Sequence, residues 1–213
     1  MPQNANHSNG IGLFGGTFDP VHIGHLRTAV ELRKVLNLSE MRLIPSACPP
    51  HRTQPDSSAE HRLAMLQLAL GHGLGPNTAE PKLIADDKEL RREGLSYTMD
   101  TLTEVRAEVG TKTPLFLCIG MDSLIDLNQW HRWRELTSIA HIVVAARPGW
   151  QEIPAGKILM MEMTLLPVSA TGIRQALQRG ESIRYLVPDQ VIDYIRQHQL
   201  YSDKKDTTKQ EAT

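Results

Sequence analysis

The stretch Gly15-Gly16-Thr17-Phe18-Asp19-Pro20-Val21-His22-Ile23-Gly24-His25 concentrates the residue types that handle a polyphosphate. Paired glycines after an apolar run let the main chain approach an anion closely, and Thr17 adds a hydroxyl donor. Asp19-Pro20 reads as a turn, with His22 and His25 in the first turn of a following helix whose free N–H groups already favour negative charge. Residues three apart on a helix share a face, so both imidazoles can address one phosphate. Two other readings of these residues fail on context. Gly10 to Gly15 matches the dinucleotide pattern G-x-G-x-x-G, yet its glycines straddle the strand, whereas that pattern needs a strand before the first glycine and a helix at the last. The histidine pair is at most half a metal site, because H-E-x-x-H needs four-residue spacing and a glutamate, and no neighbouring Glu, Cys or third His completes a set. A P-loop is excluded as well, since no G-x-x-x-x-G-K-[ST] run occurs.

The elements that must position this stretch follow from periodicity. Apolar runs at 11–14, 41–44, 82–84, 115–119 and 142–145 read as strands, and apolar residues at helical spacing mark helices over 23–36, 59–70 and 98–109. Strands alternating with helices predict right-handed βαβ crossovers. The expected fold class is α/β, a Rossmann-like doubly wound parallel sheet covered on both faces, with a small C-terminal helical subdomain. Ligands of such sheets sit outside the carboxyl ends of the strands, so residues 15–25, 45–52, 120–130 and 147–150 carry the functional weight. The 213 residues suffice for one sizeable core: a flexible leader over 1–10, one domain over 11–202 with its helical part at about 168–202, and a charged, aperiodic tail over 203–213 that is expected to be disordered. The 23 basic and 24 acidic side chains nearly cancel and form no basic stripe, which argues against a nucleic-acid or anionic-membrane partner. The opening residues lack the basic and apolar regions of a secretory signal and no apolar run is long enough to span a bilayer, so a cytoplasmic protein is expected. Cys48 and Cys118, far apart in the chain, suit reduced thiols better than a disulfide.

The glycine–histidine stretch resembles the signature of the HxGH nucleotidyltransferase superfamily, in which such a motif handles the phosphates of ATP. Val168-Ser169-Ala170-Thr171-Gly172-Ile173-Arg174 resembles the same superfamily's I-S-S-T-x-I-R element, with Ala170 in place of the second serine. Ser169 or Thr171 can cap the helix that follows, and Arg174 can reach the β- and γ-phosphates as a fork of donors. Taken alone, Ser-x-Thr before a helix is an ordinary cap. Over residues 12–201 the chain is further similar to bacterial nicotinate mononucleotide adenylyltransferases. Pro49-Pro50-His51-Arg52 resembles their P-P-H-K loop with Arg52 replacing lysine, and Ser96-Tyr97-Thr98-Met99-Asp100-Thr101-Leu102 their S-Y-T-x-D-T-L segment. Gly120-Met121-Asp122, Trp130 and Arg147-Pro148-Gly149 complete the pattern.

This resemblance implies transfer of AMP from ATP to nicotinate mononucleotide, giving nicotinate adenine dinucleotide and pyrophosphate for NAD biosynthesis, with Mg²⁺ accompanying ATP and no resident metal site. It places Gly15, Gly16, Thr17, Phe18, His22, His25, Gly120, Asp122, Ser169, Thr171 and Arg174 around ATP, with His22, His25, Thr17 and Arg174 catalytic. Around the acceptor it places Arg52, Tyr97, Thr98, Asp122, Trp130 and Arg147. Trp130 offers a π face for a cationic ring, and Thr98, at a helix start, offers N–H groups for a carboxylate. Asp122 is assigned to a ribose hydroxyl or to organising Mg²⁺. Plain alternatives stand beside each: Trp130 as a loop anchor, Asp122 as a helix cap, Tyr97 as core. At the level of the whole protein the alternatives are a sister enzyme using nicotinamide mononucleotide, phosphopantetheine or FMN, and a nucleotide-sensing module without turnover. Intact His22, His25 and Arg174 argue against the latter, and a homo-oligomer is left open.

Overall fold

Six short strands pair side by side in a computed structural model that describes residues 10–48, 54–71, 82–146, 158–164 and 166–202. They are β1 (Ile11–Gly16), β2 (Glu40–Pro45), β3 (Leu83–Ala85), β4 (Leu115–Gly120), β5 (His141–Ala146) and β6 (Ile158–Glu162), in the spatial order β3-β2-β1-β4-β5-β6. Every neighbouring pair is parallel. The expected α/β, doubly wound architecture is therefore the observed one. Leu115, Leu117 and Ile119 of β4 face one layer of helices while Phe116 and Cys118 face the other, which is why this strand is apolar at every position.

Seven helices cover the sheet among the described residues: α1 (Ile23–Val35), α2 (Ala59–Leu70), α3 (Thr98–Val109), α4 (Met121–Ile125), α5 (Leu136–Ile139), α6 (Ala170–Gln178) and α7 (Asp189–Gln197). Ala29 and Leu32 of α1, Met65 and Leu66 of α2, Ile173 of α6 and Val191 and Ile195 of α7 form one cluster with Leu43, Phe116 and Val143 of the sheet. Met99, Leu102 and Val105 of α3 and Leu136 of α5 cover the opposite face with Leu13, Leu117 and Val144. The C-terminal helical part follows the last strand, as expected, and shares the sheet's core rather than building its own.

Two differences from the sequence reading have clear causes. Strand β1 runs through Gly15 and Gly16, which pair with Ile44 and Pro45, because a main-chain ladder needs no side chain. Strand β6 was not expected at all: it is a half-exposed edge whose sequence, Ile-Leu-Met-Met-Glu, neither alternates nor stays apolar. Both cysteines are free thiols, Cys118 fully inside the core and Cys48 at the end of the β2 loop. Among the described residues no helix is long and apolar enough to cross a membrane. The expected leader, apart from Gly10, and the tail over 203–213 lie outside the described residues.

Candidate active site

Strands β1 and β4 are neighbours in the sheet although β2 and β3 intervene in the chain, so the crossovers depart in opposite directions at this point. An open α/β sheet leaves a crevice at such a switch, beyond the carboxyl ends of the strands. The glycine–histidine stretch fills one side of it. Gly15 is exposed, and a Cβ built on it or on Gly120 of β4 meets nothing within 4 Å, so both strand ends open into free space. Gly16 is closed from beneath: its Cβ would lie 2.9 Å from the ring of Phe18, whose φ of 52° turns the chain back. Phe18 is 1 % exposed and stands edge-on to His25 with ring centroids 5.0 Å apart. Its side chain thus forms a wall against His25.

The histidines meet by a different route from the expected shared helix face. His22 is the N-cap of α1 in extended conformation, and His25 is the third helical residue. Nδ1 of His22 accepts the backbone N–H of His25 (3.4 Å), and Nδ1 of His25 accepts the N–H of His22 (3.3 Å). This is a capping box made of two imidazoles, with the rings stacked 3.6 Å apart at 21°. Both acceptor bonds require an unprotonated Nδ1, which assigns the neutral ring's proton to Nε2 as the outward donor. Burial agrees, lowering the His22 pKa to about 4. Gly24 is required here because a Cβ would come 3.0 Å from His22 Nδ1.

Beneath the motif lies a buried polar network. The Asp19 carboxylate accepts from Asp56 N (2.7 Å), Ser57 Oγ (2.5 Å) and the Tyr201 hydroxyl (2.7 Å). Arg62, 1 % exposed on α2, donates Nη1 to the Thr17 carbonyl at 2.9 Å, and Asp19 offsets its charge. Arg174 reaches the same turn from α6, donating Nη1 to the Asp19 carbonyl (2.9 Å) and pairing through Nε with the Asp56 carboxylate. Ser169 caps α6 by accepting from Gly172 N at 3.1 Å, while Thr171 is exposed beside it. The Val168 carbonyl would lie 3.7 Å from a Cβ on Gly24, so the starts of α1 and α6 converge.

A cavity of about 240 Å³ runs from Gly15, Gly16 and Thr17 across to Tyr97, Thr98, Asp122 and Trp130. The structure therefore brings the expected glycine turn and the expected acceptor residues into one space. Phe18, His22, His25, Gly120, Ser169, Thr171 and Arg174 do not line that cavity, and Arg52 and Arg147 lie outside the described residues. Tyr97 is the N-cap of α3 and stacks, tilted, on His131 at 4.5 Å; no side chain caps that helix. Sequence reasoning missed Glu89, Asp126 and His131 on the cavity wall and Arg62, Asp56 and Tyr201 beneath the motif. Arg62 had a readable signal, a charge on the same face of α2 as Met65 and Leu66; the others lie in loops or helix ends where no periodicity marks them.

The cytidylyltransferase-like family model matches residues 13–176. A probable nicotinate-nucleotide adenylyltransferase of Cellvibrio japonicus is 46 % identical over 214 aligned positions, covering 90 % of this chain and 98 % of that protein. One from Aeromonas salmonicida is 44 % identical over 90 % of this chain and 96 % of its own length. Among solved structures, the Plasmodium falciparum nicotinic acid mononucleotide adenylyltransferase complexed with NaAD superposes with a TM-score of 0.73 at 18 % identity, over 91 % of this chain and 97 % of that one, a likeness of fold. With glycine turn, paired histidines and capped arginine helix in place, the chain belongs to the cytidylyltransferase-like family, in its nicotinate-nucleotide adenylyltransferase branch.

Proposed function

We propose that this protein is a cytoplasmic enzyme that transfers the adenylyl group of ATP to nicotinate mononucleotide, releasing pyrophosphate and forming nicotinate adenine dinucleotide. The observation that carries the acceptor is the start of α3: an N-terminus uncapped by any side chain, lining the same cavity as Trp130 and the glycine turn. A pyridine mononucleotide presents a flat cationic ring, a carboxylate and a phosphate. Trp130 suits the ring, and the α3 amides around Thr98 suit the carboxylate.

The acceptor's 5′-phosphate oxygen attacks the α-phosphorus in line, the bond from that phosphorus to the bridging oxygen breaks, and pyrophosphate leaves with the electron pair. The nucleophile is already ionised, so no base is required and positioning carries much of the rate. Nε2–H of His22 and His25 donates to the α-phosphate as its charge develops, and the Gly15–Gly16 backbone with Thr17 cradles the phosphates. Arg174 exchanges the Asp56 carboxylate for the departing pyrophosphate. Mg²⁺ enters with the phosphates of ATP in this reading, and Asp122 of the cavity wall is the side chain proposed to help hold it. Such an ion would neutralise phosphate charge.

Pyrophosphate release is measured with ATP and a panel of nicotinate mononucleotide, nicotinamide mononucleotide, phosphopantetheine and FMN. The acid is expected to exceed the amide at least tenfold in kcat/KM, about 1.4 kcal/mol, within reach of one charge-assisted hydrogen bond. Thr98→Pro, which removes one backbone donor at a helix position that tolerates proline, shrinks that ratio. Equal use of both mononucleotides by the wild type would refute the carboxylate pocket.

A further inference from the structure

The proposed reaction makes no use of the guanidinium buried beneath its phosphate cradle. Arg62 lies on the face of α2 that carries Met65 and Leu66, 1 % exposed and outside the cavity wall. Its Nη1 donates to the Thr17 carbonyl at 2.9 Å, and that carbonyl has no other partner among the described residues. The bond therefore turns the carbonyl into the protein, away from the cavity that Gly15, Gly16 and Thr17 line. A trans peptide is planar with its N–H opposite its C=O, so the Phe18 N–H is fixed in the reverse sense, and it too is unbonded among the described residues.

Both flanks of this peptide are anchored independently. Upstream, Ser46 N donates to the Gly16 carbonyl at 2.9 Å. Downstream, Asp56, Ser57 and Tyr201 hold the Asp19 carboxylate, and Arg174 holds the Asp19 carbonyl. Between the two anchors stands Phe18 at φ 52°, a left-handed conformation that a bulky residue keeps only where its neighbours over-determine it. Among the described residues Arg62 is the sole donor to the peptide that enters Phe18, so it decides how Thr17 is presented. Packing alone calls for no cation at this position. Burial lowers the pKa of the guanidinium, and its Nε lacks a partner among the described residues, costs that a methionine of similar length would not carry. What a methionine lacks is the donor.

We infer that Arg62 is a positioning residue for the ATP phosphates: through the Thr17 carbonyl it sets the direction of the Thr17–Phe18 peptide, and with it the shape of the glycine turn that receives the polyphosphate. This rests on the reading of that turn as the phosphate cradle. Inorganic tripolyphosphate, which has the phosphates of ATP without base or ribose, is the probe, its binding to the full chain measured by calorimetry beside the KM values of both substrates. Arg62→Lys keeps the stem and the basic group, but its nitrogen ends one bond short of the position from which Nη1 reaches the Thr17 carbonyl. It is expected to raise Kd for tripolyphosphate and KM for ATP together, fivefold or more, and to leave KM for nicotinate mononucleotide within twofold. A folded variant with the wild-type Kd, or one in which all three constants rise alike, overturns the proposal. Where Arg62→Lys does not fold, the Nε–H resonance of Arg62 in the wild type is followed by NMR: it must shift on titration with tripolyphosphate and stay unmoved by nicotinate mononucleotide, and no shift, or equal shifts with both, overturns the proposal as well. A wild type that binds no tripolyphosphate removes the cradle reading and this proposal with it, whereas binding that Arg62→Lys leaves unchanged removes the proposal alone.

Discussion

Two imidazoles cap one helix here, and protonation of either Nδ1 would break the cap that orients both. That gives His22 a definite signature in stability. Its pKa is about 4 when folded against 6.5 when unfolded, so between those values the unfolded chain binds the proton that the folded protein refuses. The contribution is complete above pH 6.5 and is lost as pH falls through 4, to a total on the order of 3 kcal/mol. Urea unfolding of the wild type and of His22→Asn between pH 7 and 4 measures it; a variant with the wild-type slope removes His22 from the account. The glycines of the motif separate in the same residue-by-residue way. Gly24→Ala drives a methyl against the His22 ring and is expected to lower kcat tenfold or more, despite alanine's better helix propensity of about 1 kcal/mol. Gly15→Ala places its methyl in open space at the cavity edge, so the melting temperature is retained while ATP binding weakens at least tenfold. The reverse pattern, an unstable Gly15→Ala with normal ATP binding, would show that the glycine serves the strand and not the ligand.

At the scale of elements, α6 offers the cleanest test, because one side chain both starts the helix and sets the origin of Arg174. Ser169→Ala removes the bond from Gly172 N and is expected to cost about 1 kcal/mol. With Arg174 in the same first turns, KM for ATP should rise threefold or more, and Ser169→Asn, which restores a cap acceptor, should recover both values. Recovery of stability alone would separate the cap from Arg174. Elements of this kind were the legible part of the sequence. Helices α2 and α3 match the periodic runs at both ends, because Ser58 and the glycines Gly71 and Gly110 bound them. The motif's place between β1 and α1 was legible too, yet its geometry was not: spacing put both histidines on a helix face, whereas His22 lies outside the helix and meets His25 by reciprocal capping. Strand β6 escaped because an edge strand of one isoleucine, a leucine, two methionines and a glutamate lacks alternation and carries a single β-branched residue. Glu89 escaped because a buried acid in a turn looks like any charged loop residue until the fold brings Thr101 to it.

Seen as a whole molecule, the chain returns to its own beginning, since Tyr201, 182 residues beyond Asp19, donates to the carboxylate in the middle of the motif. Three segments converge there: the turn before α1, the 56–57 loop that leads into α2, and the chain after α7. Arg62 stands in the same pocket with its Nε lacking a hydrogen-bond partner among the described residues, so Asp19 is both a knot of hydrogen bonds and the counter-charge of a buried guanidinium. Removing one donor and removing the charge should therefore differ in size. Tyr201→Phe keeps the ring and leaves Asp19 its bonds from Asp56 and Ser57, a loss of about 1–2 kcal/mol. Asp19→Asn strands Arg62 in a dry site, and breaking a buried pair from one side costs about 3–5 kcal/mol. Both changes act on the turn whose carbonyl holds Arg174, so kcat should fall in the same order as stability. Urea unfolding and pyrophosphate release on the two variants decide the point. If Tyr201→Phe proves as costly as Asp19→Asn, the carboxylate acts only as a hydrogen-bond acceptor, and the charge balance with Arg62 does not hold the motif in shape.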